Sequence, residues 1–294
     1  MNPAVQRLIE SEGVGPELRL NCEVAERMLC GFITEEVTKV GFRRVVVGLS
    51  GGIDSAVSLY LAARALGPAQ TFAVAMPYRT SSADSLGDAM ACVEDLGTPH
   101  YVVDISGQID AYYGQAVVPA GADLAADRLR RGNKMARERM TILYDLSQHL
   151  GALVLGTSNK TELLLGYGTL WGDMAHALNP LGDLYKTQIR QLAAHLGVPQ
   201  AILDKPPTAD LFAGQTDEGQ LGYPYAAIDA VLVQLIDRRR PPEEIVAAGY
   251  ESAMVQRIAT LVQRSQFKRR LPVIAKIGER TIDRDFRYSR DWCY

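Results

Sequence analysis

Along the chain, short apolar runs of strand length alternate with longer stretches whose apolar residues recur at helical spacing. Four runs read as strands: Arg44–Leu49, Thr71–Met76, His100–Ile105 and Ala152–Gly156. The first (RVVVGL) and the last (ALVLG) are apolar throughout, as strands covered on both faces are. Helices are predicted over Glu23–Val40, Ile53–Leu66, Ser82–Leu96, Asn133–Leu150 and Thr187–Leu196, each closing near a glycine. This order predicts an α/β fold with a doubly wound parallel sheet. Between Gly107 and Gly132 the pattern weakens, so an irregular excursion is expected there. Beyond Lys205 no further strand is predicted. Thr208–Tyr223 (TADLFAGQTDEGQLGY) reads as a mobile loop that closes over a bound nucleotide. Helices at Tyr225–Ile236, Pro242–Ala248 and Ser252–Ser265 are expected to form a C-terminal helical layer on one domain spanning 1–294.

The composition narrows the class. With 294 residues, 47% hydrophobic and 22% charged, the chain is of ordinary globular make-up and long enough to bury a sizeable core. No segment reaches the roughly 18 unbroken apolar residues of a membrane span, and MNPAVQRLIESEG has no apolar leader, so a cytoplasmic location is expected. Cys22, Cys30, Cys92 and Cys293 lack CxxC spacing, which speaks against zinc and against a disulfide framework. A net charge of −3 predicts neither a nucleic-acid nor a membrane partner, so an anionic ligand has to be held by local basic groups or backbone amides.

Such amides are predicted where the first strand runs into a helix through Gly48-Leu49-Ser50-Gly51-Gly52-Ile53-Asp54-Ser55. The glycines let the backbone approach a phosphate, and Ser50 and Ser55 add hydroxyls at an anion-binding helix start. The lysine of a Walker A loop is absent. Asp54, expected to be exposed at the helix start, would repel a pyrophosphate unless a divalent cation stood between them, and Mg2+ takes carboxylate and phosphate oxygens together. By the strand-end rule for open α/β sheets, Thr157 and Glu162 after the fourth strand should converge on the same crevice. On the helix Asn133–Leu150, Arg139 falls on the apolar stripe and Arg137 off it, so Arg137 is assigned to ligand and Arg139 to structure. Lys186, at a helix start where the dipole disfavours it, is better placed facing phosphate.

These segments carry a family resemblance. SGGIDS resembles the loop of the ATP pyrophosphatase (PP-loop) superfamily; GNKMARERM and GTSNKTELLLGY are similar to segments of NAD synthetases, and the likeness runs from about Cys22 to Pro272. It implies an adenine nucleotide alpha hydrolase-like fold and ATP-dependent amidation of deamido-NAD by ammonia, through an NAD-adenylate with release of AMP and pyrophosphate. ATP would contact the phosphate loop, Arg79, Thr157, Lys186 and Thr208, with Mg2+ on Asp54 and Glu162. Deamido-NAD would meet Arg137, Asp173 and Lys268. No covalent nucleophile is expected; charge stabilisation would fall to Lys186 and the metal. A homodimer is implied as well.

Leu170, Ala177 and Phe267 depart from residues common in ammonia-dependent members, and GYGTLWGDMA looks more like glutamine-dependent enzymes. A glutaminase domain is too long to fit before Arg44, which leaves a separate glutaminase partner as an ammonia source. A GMP-synthetase-like amidating enzyme and a non-catalytic nucleotide-binding module are the alternative readings.

Overall fold

The computed structural model describes residues 2–115, 124–208, 217–270 and 272–281. Its elements run α1 Pro3–Ser11, α2 Cys22–Lys39, β1 Arg44–Gly48, α3 Ile53–Leu66, β2 Thr71–Ala75, α4 Ala83–Leu96, β3 His100–Val102, α5 Ser106–Gly114, α6 Leu124–Leu150 and β4 Ala152–Leu155. There follow α7 Lys160–Leu165, α8 Lys186–Leu196, α9 Gln200–Asp204, α10 Asp217–Leu221, α11 Tyr225–Leu232, α12 Pro242–Ala247 and α13 Ser252–Arg264. Among the described residues no helix is long and apolar enough to cross a membrane.

The four strands pair in parallel in the order β3-β2-β1-β4, with Val46 opposite Phe72 on one side and Val154 on the other. Period-two alternation splits β1 between two cores. Val45 and Val47 face α3 and α8, while Val46 faces Ile109 of α5 and Met135, Leu143 and Leu146 of α6. Both faces are dry along Val45–Val47, which is why no polar residue alternates there; only Arg44 at the strand's start is exposed. Ile189 and Leu192 of α8 are fully buried, each stabilising the fold by on the order of 2 kcal/mol. Gly67, Gly97 and Gly197 are the C-caps of α3, α4 and α8. α11 and α13 pack behind α7 and α8 as the expected C-terminal layer.

Several boundaries differ from the sequence expectation. The excursion over 107–132 contains all of α5 but its first residue, and α6 begins at Leu124, nine residues before Asn133. Its first turns carry a charged cluster: Asp127 pairs with Arg130 and Arg131, whose guanidinium groups lie 4.8 and 4.3 Å from the Tyr113 ring centroid. α1 was not predicted; it is capped by Asn2 and buries Val5 and Ile9. The helix from Tyr225 passes into a π turn at Val233–Asp237. Within the expected loop Thr208–Tyr223, Asp217–Leu221 is helical and 209–216 lie outside the described residues, as do 282–294 with Cys293.

Candidate active site

Because β2 and β3 lie to one side of β1 and β4 to the other, the winding reverses between β1 and β4, and their carboxyl ends open a crevice. A cavity of about 680 Å3 occupies it. After β1, the Leu49 amide still donates to Val74 O at 2.8 Å, and then the chain turns into α3. Ser50 and Ser55 hold that turn together: Ser50 N–H donates to Ser55 Oγ (3.2 Å), Ser55 Oγ–H to Gly52 O (2.9 Å) and Gly52 N–H to Ser50 Oγ (3.2 Å). Gly51 is required twice over. Its φ is +77°, and a Cβ there would stand 2.1 Å from the carbonyl oxygen of Ser85 in α4. Gly48, Leu49, Ser50, Gly52, Ile53, Asp54 and Ser55 all line the cavity.

Asp54, one residue into α3, is only 17% exposed, against the expectation of an exposed position. It is held from both sides: Asn159 Nδ2 donates to Oδ1 at 2.8 Å, and the Lys186 ammonium donates to Oδ2. The same ammonium donates to Glu162 Oε1 at 3.1 Å. Asn159 also caps α7, its Oδ1 accepting the Glu162 amide at 2.9 Å, so one side chain aligns both carboxylates. Lys186 is 3% exposed. Burial alone would lower its pKa, but the carboxylates of Asp54 and Glu162 raise it above the ordinary lysine range and keep it charged. Burial pushes Glu162 up to about 7, with Lys186 pulling the other way and Asp54 adding to the rise.

A third carboxylate, Asp217, lines the same cavity; burial raises its pKa, opposed by Lys186 and by hydrogen bonds from Tyr167 (3.0 Å) and Tyr225 (3.2 Å). The Lys186 ammonium lies 5.3 Å from the Tyr225 ring centroid. Two carboxylates gathered around one cation form a donor set suited to a hard divalent ion that takes its remaining oxygens from a phosphate. Among the described residues there is no group of three His, Cys, Asp or Glu able to hold a metal unaided.

Thr157, Thr208, Asp173 and Lys268 also line the cavity. Asp173 Oδ1 accepts the Thr169 amide at 2.9 Å, and burial raises its pKa. Lys268, whose pKa burial lowers, donates to the carbonyls of Gly166 (2.8 Å) and Gly168 (2.7 Å). Two predicted residues stand apart. Arg79 does not line the cavity; it pairs with Asp110. Arg137 lies outside it and donates to Leu170 O at 3.3 Å, whereas Arg139 lines the cavity wall, as Arg128 does, its Nε donating to Met76 O at 3.0 Å. The stripe count put Arg139 on the inward face correctly, but inward here is the crevice. Leu170, Ala177 and Phe267 are not among the cavity walls.

Sequence reasoning missed Asn159, Asp217 and Lys205. Lys205 also lines the cavity and donates to Ser85 Oγ (3.0 Å) and Asp88 (2.8 Å). Of the three, Asn159 had a readable signal, the spacing of an N-cap three residues before Glu162.

The NAD synthase family model matches residues 25–272. The chain is 55% identical over 275 residues to an NH(3)-dependent NAD(+) synthetase of Trichlorobacter lovleyi, covering 94% of this chain and 98% of that protein. Among solved structures, it is similar to an NH3-dependent NAD synthetase from Campylobacter jejuni in complex with the nitrate ion, with 33% identity and a TM-score of 0.73 over 88% of this chain and all of that one (100%). It is also similar to an NMN synthetase from Francisella tularensis, with 30% identity and a TM-score of 0.77 at the same coverage, 88% and 100%.

Proposed function

The chain belongs to the NAD synthase family, and from that premise we infer which of its residues carry the reaction. It is a ligase that forms a carbon–nitrogen bond, amidating deamido-NAD to NAD with ATP and ammonia. The observation that carries our reading of the site is the Lys186 ammonium bridging Asp54 and Glu162 beside the phosphate loop.

In this reading the ATP phosphates lie against the loop 48–55, where the free amides at the start of α3 and the Lys186 ammonium face developing negative charge. Asp54 and Glu162 would hold Mg2+, which would supply positive charge to neutralise the leaving pyrophosphate. The nicotinate carboxylate of deamido-NAD attacks the α-phosphorus and pyrophosphate leaves. Ammonia then attacks the acyl carbon of the NAD-adenylate and AMP leaves. No side chain forms a covalent bond, so the chain contributes positioning and charge. Thr157 and Thr208 contact ATP, and Asp173 and Lys268 contact the dinucleotide; their shared place on the cavity wall supports this. For Arg79 and Arg137, which stand off the wall, the proposed ATP and dinucleotide contacts rest on the family resemblance. A homodimer through α6 accords with the exposed Leu129 and Tyr144 on that helix, and a cytoplasmic location and free ammonia as the nitrogen source complete the proposal.

One assay tests it. With deamido-NAD, ATP, Mg2+ and ammonium, the purified chain is expected to release NAD, AMP and pyrophosphate in equal amounts, with little turnover of nicotinate mononucleotide and none when glutamine replaces ammonium. Glutamine-supported synthesis free of contaminating ammonia, or pyrophosphate release that ignores deamido-NAD, refutes it.

A further inference from the structure

Asp229 is fully buried, 0% exposed, in α11, and no step above uses it. A buried carboxylate is retained only where hydrogen bonds replace its water. Here Oδ1 accepts the Thr161 hydroxyl at 2.6 Å, and Oδ2 accepts both the amide and the hydroxyl of Thr187 at 2.9 Å. The Thr161 hydroxyl oxygen in turn accepts the backbone N–H of Lys186 at 3.0 Å. The first two amides of α8, which have no partner within the helix, are thus satisfied from α11, one directly and one through α7.

Thr161 immediately precedes Glu162, and Lys186 immediately precedes Thr187. One carboxylate therefore holds the backbone beside both members of the Lys186–Glu162 ion pair. It also supplies an anion under a helix start that carries a lysine, offsetting the unfavourable interaction of that lysine with the helix dipole. We propose that Asp229, acting through the Thr161 hydroxyl, is a positioning residue of this enzyme: it locks the start of α8 to α7 so that the Lys186 ammonium is aimed at the reacting phosphate. The proposal rests on the role given to Lys186 above.

The test compares Asp229→Asn, Thr161→Val, Thr161→Ser and the double variant D229N/T161V. An amide cannot accept all three donors that Asp229 accepts, and valine is close in shape to threonine but lacks the relay oxygen. A misplacement of a charge-stabilising group by about 1 Å predicts a fall in kcat of about 100-fold in D229N and in T161V. KM for deamido-NAD should stay within about 3-fold, because its contacts are elsewhere. Serine keeps the relay, so T161S should return kcat to within about 3-fold of the parent; the double variant should be no slower than the slower single one, since both cut the same path.

A purely structural strut would lower the thermal midpoint of D229N and T161V while leaving kcat of the folded protein intact, and that result overturns the proposal. So does a T161S as slow as T161V. If D229N does not fold, T161V, one hydroxyl away from the parent, decides alone. Lys186→Met separates the two layers: normal turnover there refutes the role of Lys186 itself, whereas an inactive K186M beside a fully active T161V refutes only the positioning by Asp229.

Discussion

At the scale of single residues, the site turns on one ammonium between two carboxylates. Lys186, Asp54 and Glu162 are removed from water together, so each depends on the others, and losing one member of such a set typically costs about 3–5 kcal/mol. The arrangement also makes the lysine a competitor of any divalent ion for the same oxygens. Mn2+, used as a probe and followed by electron paramagnetic resonance, is therefore expected to bind the nucleotide-free protein at least about tenfold more weakly than the complex with a non-cleavable ATP analogue, whose phosphate gives the ammonium a second partner. Lys186→Met should raise the affinity for Mn2+ alone by about tenfold while reducing kcat by about 100-fold or more. Unchanged Mn2+ affinity in that variant would mean that these carboxylates do not hold the metal.

At the scale of elements, the shape of the proposed phosphate loop depends on α4, whose Ser85 carbonyl lies against Gly51. Gly51→Ala places a methyl group 2.1 Å from the backbone carbonyl of Ser85 at a φ of +77°, so α4 has to move. Strain on the order of 1–3 kcal/mol and displaced loop amides should lower the thermal midpoint by several degrees and raise KM for ATP at least about tenfold. At Gly52 a Cβ meets only the Ser50 hydroxyl, at 3.3 Å, and φ is −94°, so Gly52→Ala should be the milder change. Melting curves and ATP titrations of the pair check this; equal behaviour would remove the close approach from the explanation.

The strand β1, the loop and the strand end before Thr157 were legible in the sequence because each follows from local pattern: an apolar run, then glycines, then a helix start. The first turns of α6 were not, since DRLRRG has no apolar stripe and its helix is held by Asp127 and Tyr113. Asp229 was equally hidden. In YAAIDAVL it is one acid in an apolar run, and only its partners on two other helices give it meaning.

Taken as a whole, the molecule holds acids in its interior whose burial should be visible as a dependence of stability on pH. Burial pushes Asp229 from 3.8 up to about 6, against the hydrogen bonds from Thr161 and Thr187 and the nearby Lys186. A carboxyl whose folded pKa exceeds its unfolded value binds its proton more tightly when folded, so the stabilisation from that proton is present below the unfolded value and lost as pH rises through the folded one. The stability advantage of the parent over Asp229→Asn, which cannot titrate, should therefore shrink between about pH 4 and about pH 7, by on the order of 3 kcal/mol. Denaturant melts of both proteins across that range measure it, and a difference independent of pH would contradict the assignment.

The strand order has a consequence for how the protein comes into being. β1 sits between β2, its close neighbour in sequence, and β4, which is synthesised roughly a hundred residues later, a separation of the kind that makes pairing slow. A chain emerging from the ribosome carries the loop 48–55 early, with one edge of β1 unpaired until β4 arrives, and Lys186 and Asp217 follow later still. At the proposed site ATP would therefore meet no complete pocket on the growing polypeptide and would stabilise only the finished fold, as any ligand that binds the native state alone does.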